Sequence, residues 1–218
     1  MPFSPLHLLL LVLLFGFLLA FIQVGLLAIA FEKLGLSPNS GLLLLFSALF
    51  GSLINLPVTR VRAEEPPEPP PAWVGLLRGP RLRFEGSTLI AVNVGGCIIP
   101  VFFSVYLLRH TPLPPLEVIP AIAIVGAVSY YFSRPIPRLG IGMPVFIAPL
   151  TAALTAMLIS AEHSAPLAYI CGTFGVLIGA DLLRLKDVRQ LGAPLASIGG
   201  AGTFDGIFMT GIVAALLA

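Results

Sequence analysis

Charge is what this sequence has least of: Asp, Glu, Lys and Arg make up 10% of its 218 residues, where a soluble domain carries roughly a quarter. That shortage excludes a soluble globular fold. The chain is 57% hydrophobic, and a protein of this length has too little interior to hide so much apolar surface from water. A nucleic-acid partner is excluded as well, because twelve basic residues scattered between apolar runs form no stripe that could track phosphates. Cysteine is also scarce. The two present, Cys97 and Cys171, each lie inside an apolar run, so they read as small buried side chains, not as a disulfide or a metal pair. His7, His110 and His163 fall in separate regions without ligand spacing, and no phosphate loop or nucleotide fingerprint occurs. No metal site and no cofactor are therefore expected.

What is present suits lipid as the solvent. Mean hydropathy is +1.02, and the 22 glycines and 21 prolines fit membrane helices, which carry more of both than soluble helices do. Apolar runs near the roughly 20 residues needed to cross about 30 Å of hydrocarbon occur seven times. They extend approximately from Leu6 to Phe31, Gly41 to Leu56, Thr88 to Leu108, Leu116 to Phe132, Met143 to Ala161, Pro166 to Leu183, and Ala193 to the C-terminus. The first lacks a basic segment before it and is too long for a signal peptide core, so it reads as a retained span despite Ala28-Ile29-Ala30. With the N-terminus inside, ten of the twelve basic residues fall in cytoplasmic loops, and only Lys33 and Arg109 are external. The positive-inside rule selects that orientation.

The expected fold is thus an all-α polytopic transmembrane helix bundle of about seven spans. Its N-terminus is cytoplasmic, its C-terminus external, and a broken or re-entrant segment is expected near Gly199–Gly206. Residues 1–56 form two N-terminal spans. Residues 57–87 form a cytoplasmic loop, in which Glu64 to Pro71 is a proline-rich spacer. Trp73 to Phe84, where Trp, Leu and Phe interleave with Arg, has the composition of a membrane-surface segment. Residues 88–218 form a five-span bundle. The lipid bilayer is the expected surrounding, in a prokaryotic cytoplasmic membrane, and the sequence carries no information on oligomeric state.

With lipid as solvent, an ionisable residue at membrane depth costs a few kcal/mol and marks function. Asp181 and Asp205 are the two candidates. Asp181 lies 15 residues beyond Pro166, about 22 Å along a helix and so about 8 Å inside the cytoplasmic boundary. Thirteen residues follow Asp205, worth about 20 Å of helix, which sets it at a similar depth. Consecutive spans joined by a short loop tend to be neighbours, and two carboxylates held together share a proton, as an acid and base pair for hydrolysis requires. Each residue alone also has a structural reading. Asp181 is three residues from Arg184 and suits an ion pair; Asp205 suits the cap of the last helix. Four glycines in Gly199 to Gly206 break any continuous helix, and irregular backbone at membrane depth survives where protein buries it or where it lines a wet cavity. Gly199, Gly200, Gly202 and Thr203 are therefore candidate substrate-binding positions. Asn93, ahead of Gly95-Gly96 and Pro100, joins them as a cavity-lining residue, beside the reading in which those glycines only pack helices. Asn55 and Pro57 read as the end of the second span.

The motifs Gly140-Ile141-Gly142-Met143-Pro144-Val145-Phe146, Pro166 to Thr173, Gly179-Ala180-Asp181-Leu182 and Gly199-Gly200-Ala201-Gly202-Thr203-Phe204-Asp205-Gly206 resemble a bacterial and archaeal membrane family known as domain of unknown function sixteen-fourteen. That resemblance implies a membrane location and no particular activity. A looser one is to intramembrane aspartyl proteases of the presenilin and signal peptide peptidase type, which place one Asp on an inward span and one on the next outward span. Ala180 stands where that family has tyrosine, and Phe204, not glycine, precedes Asp205. This resemblance implies peptide-bond hydrolysis with Asp181 and Asp205 catalytic and a transmembrane peptide as substrate. Two other readings remain open: a proton- or ion-coupled carrier using the same acids, and a non-catalytic membrane scaffold.

Overall fold

The computed structural model describes residues 23–62, 86–136, 140–200 and 206–218. The proline-rich spacer, the Trp73 to Phe84 segment and most of the first expected span lie outside the described residues. Helix α1, described over Gln23–Lys33, meets α2 (Pro38–Gly51) at a bend of 108°. The start of α2 is written in its sequence: the Ser37 hydroxyl accepts the Ser40 N–H at 3.3 Å and Pro38 occupies the first turn. Strands β1 (Asn55–Arg62) and β2 (Ser87–Asn93) follow. A π-helical turn, Val94–Ile98, then leads into α3 (Ile99–His110) and α4 (Pro115–Phe132). The short pair β3 (Arg134–Ile136) and β4 (Gly140–Gly142) precedes α5 (Ile147–Ile159) and α6 (Ser164–Val176), which runs on as a second π-helical segment, Leu177–Leu182. A 3-10 turn (Leu185–Gln190), strand β5 (Leu195–Ile198) and α7 (Gly206–Leu217) complete the chain.

The all-α expectation is corrected by a three-stranded sheet of order β1-β2-β5, in which β2 runs antiparallel to β1 and parallel to β5. The third and seventh apolar runs each begin as a strand before turning helical. Their hydrophobicity gave no hint of this, because a strand buried on both faces reads as a continuous apolar run just as a span does. Residues such as Ile90 and Val92 fit the pleated surface, and pairing on both sides satisfies the backbone of β2, the only way a strand survives away from water. Asn55 begins β1 instead of ending a helix, and the alternation in Val58-Thr59-Arg60-Val61-Arg62 is the strand signal that was available.

Among the described residues two helices, Pro115–Phe132 and the joined Ser164–Leu182, are long and apolar enough to cross a membrane, and the bent α1–α2 pair makes a third if it counts as one span. These are the fourth and sixth of the expected runs. Helix α6 is the axis of the bundle: Leu167 to Cys171 are all fully buried, packed among α4, α5 and α7. Glycine makes the close crossings possible. A Cβ on Gly175 would lie 2.6 Å from Val125 Cγ1, and one on Gly179 would strike the Gly126 carbonyl oxygen, so α4 and α6 touch backbone to backbone. Leu116, Tyr131 and Leu158 are among the most exposed large side chains, as expected of a surface that faces lipid.

Candidate functional site

The carboxyl ends of β2 and β5 lie side by side, with Val92 opposite Ile198 in parallel register. Asn93 ends β2 and is fully buried. Its Oδ1 accepts the Gly96 N–H at 2.7 Å, capping the π-helical turn. Its Nδ2 donates to the Ser52 carbonyl at 2.7 Å and to Asn55 Oδ1 at 3.1 Å. The same Asn55 oxygen accepts the Ser197 hydroxyl from β5. One carboxamide oxygen therefore ties the start of β1 to the ends of β2 and β5. The Asn93 side chain is thus held by three hydrogen bonds, all of them cap and strand contacts.

Beyond β5 the chain turns through Gly199 and Gly200, at φ of +81° and +87°, a region closed to most side chains. The Gly199 N–H donates to Asp181 Oδ2 at 3.2 Å, and the Gly200 N–H donates to the Ser197 carbonyl. A Cβ on Gly199 would stand 2.6 Å from Cys97 Cβ, so the turn lies directly against the start of the 94–110 helix. Asp181 itself sits in the second π-helical segment, partly buried. Both π-helical segments thus border one polar cluster, and such segments recur at functional sites.

The structural alternative for Asp181 depended on Arg184. Arg184 instead bonds Asp187 at 3.0 Å, the Tyr130 carbonyl at 2.8 Å and the Ser133 hydroxyl at 3.3 Å, and stacks on the Tyr130 ring. It clamps the end of α4 to the 3-10 turn. Asp205, Gly202 and Thr203 lie outside the described residues. Their neighbour Ile207, at the start of α7, is buried in a cluster with Ala148, Val176 and Ala180. Ala180 immediately precedes Asp181, and Ile207 follows Asp205 by two residues.

The structure therefore brings Asn93, Gly199 and Asp181 into one region. It adds Asn55 and Ser197, which sequence reading passed over. Asn55 was concealed because an Asn at the end of an apolar run is as good a helix stop as a strand start, and Ser197 carried no motif. Among the described residues no group of three or more His, Cys, Asp or Glu is placed to hold a metal. No curated protein and no solved structure matches the chain, so the likeness to intramembrane aspartyl proteases rests on the residues alone. A family profile does match, over residues 49–217, and it spans both strands, α6 and α7. The chain belongs to that family, described as "Protein of unknown function (DUF1614)".

Proposed function

We propose that this is an integral protein of the prokaryotic cytoplasmic membrane that hydrolyses peptide bonds in membrane-embedded segments, with Asp181 and Asp205 as its catalytic pair. The observation that carries the reading is the packing of Ala180 with Ile207, which draws the chain on either side of the two aspartates together. Asp181 is also anchored to the Gly199 turn that leads toward Asp205.

In this role one carboxylate, ionised, takes a proton from water, and the water oxygen attacks the scissile carbonyl carbon. The other, protonated, gives its proton to the leaving amide nitrogen as the C–N bond breaks. Two acids at close quarters supply both states at once. Gly199, Gly200, Gly202 and Thr203 admit an extended substrate strand, and Asn93 holds the wall behind them. The orientation with the N-terminus inside sets the pair near the cytoplasmic face. Purified protein reconstituted into liposomes should cleave a membrane-helix reporter, and Asp181→Asn and Asp205→Asn should each reduce cleavage by at least about a hundredfold, the scale of acid and base catalysis. Cleavage that persists in both variants, or no cleavage by the wild type across a broad reporter panel, removes the proposal.

A second reading is favoured by a different observation: α3 and α7 are short helices that start beyond the strand ends, as the half-helices of carriers do at a substrate site. On that reading Asp181 and Asp205 bind a proton or cation. Ion flux in sealed vesicles that depends on both residues supports it, and flux indifferent to both excludes it.

A further inference from the structure

A groove of about 510 Å³ lies between α2 and α3, away from the aspartate site, lined by Leu43, Leu44, Phe102, Phe103, Tyr106 and two serines, Ser40 and Ser47. Leu43 is 69% exposed and Phe102 74%, so the groove opens sideways onto the apolar surface. The two helices diverge from a tight junction, where Gly51 and Gly95 touch, and the groove is the space they leave on the way to the start of α2 and the end of α3.

The two ends of the groove differ in chemistry. Toward the junction its walls are apolar apart from Ser47. At the other end stand the exposed Ser37 and Ser40 hydroxyls, 2.9 Å apart, and the last turn of α3 carries exposed Arg109 and His110. The His110 ring stacks on Tyr106, a groove residue, with centroids 4.0 Å apart. Its Nδ1 lies 2.8 Å from the Tyr106 carbonyl. A carbonyl oxygen can only accept, so Nδ1 carries the proton, and Nε2 is left as an acceptor for an outside hydroxyl. The site thus pairs an apolar trough with a polar end that carries the Arg109 guanidinium.

We propose that this groove is a binding site for an acidic phospholipid, its acyl chain along Leu43, Phe102 and Phe103, its phosphate at Arg109 and a headgroup hydroxyl at His110 Nε2. An amphipathic anion matches both halves at once: burying chain methylenes removes apolar surface from contact with water and loose lipid. A basic residue at the membrane surface adds about 1 kcal/mol of attraction for anionic lipid, or about fivefold in affinity. Zwitterionic lipids carry the same chains without the net charge, so they separate the two contributions.

The test uses the full chain in nanodiscs containing phosphatidylglycerol and phosphatidylcholine in equal proportion, with retained lipid counted by native mass spectrometry after release. Wild type should hold phosphatidylglycerol in preference. Arg109→Gln, at an exposed position, should cut that preference about fivefold while leaving the melting temperature unchanged. Ser47→Phe, which fills the trough, should abolish retention of either lipid. Equal retention of the two lipids by wild type, or a preference untouched by the two substitutions, overturns the proposal. So does a benzophenone probe at Ser47 that cross-links to a second copy or to the chain's own N-terminal segment instead of to lipid.

Discussion

Asn93 shows how one side chain can organise a site in lipid. Each polar atom it carries is committed, to the Gly96 N–H, the Ser52 carbonyl and the Asn55 carboxamide. Removing it orphans a buried donor and a buried acceptor, at about 1–3 kcal/mol for each group left unpaired. Asn93→Ala should therefore lower stability by about 3 kcal/mol, read as a fall in thermal midpoint in detergent. Asn55→Ala, at a partly buried position, should cost about 1 kcal/mol. An equal effect of the two would mean that Asn55 is as central as Asn93. At this scale the sequence was informative where a residue was costly in lipid. Asp181 and Asn93 stood out as polar groups in apolar runs, and both border the cluster. Ser197 could not stand out, because serine is cheap at membrane depth and its importance comes only from the partner that β-pairing brings to it.

At the scale of elements, the glycines explain the packing and the two strands explain the site. Gly126, Gly175 and Gly179 let α4 and α6 approach until backbone meets backbone, a contact that depends on the missing Cβ. Gly179→Ala should destabilise the bundle by about 2 kcal/mol through overpacking. Gly25→Ala, within α1 where a Cβ meets nothing within 4 Å, should leave stability unchanged or raise it by up to about 1 kcal/mol through helix propensity. Thermal melts of the two variants side by side check the contrast, and a neutral Gly179→Ala would show that the crossing can relax. The strands β2 and β5 each lead through glycines toward a helix of 12 residues. Their register pairs Leu89 with Leu195. Apolar runs were legible as elements, but their type was not. Helix and buried strand share the same composition, and a run as long as 88–108 divides into a strand and a helix.

For the whole molecule, the scarcity of charge identified lipid as solvent, and the described helices agree: two, or three with the bent pair, can cross a membrane. The expectation of seven spans treats every apolar run as a helix, and among the described residues β2 and β5 begin two of those runs as strands. The proposed orientation makes its own prediction. In intact cells a membrane-impermeant maleimide should label Glu162→Cys, an exposed residue between α5 and α6, and should label exposed Lys186→Cys only after permeabilisation. The reverse pattern would invert the topology and move the aspartate pair to the outer side.

The account turns on Asp181 and Asp205 meeting. The most direct measurement replaces both with cysteine in a chain whose native thiols, Cys97 and Cys171, both buried, have been removed. Bridging by oxidation or by a short bifunctional thiol reagent is then measured in reconstituted membranes. The account predicts efficient bridging within a single chain. Bridging that fails while each cysteine alone reacts with a monofunctional reagent would place the two positions more than about 10 Å apart, beyond the reach of a shared proton, and would contradict it.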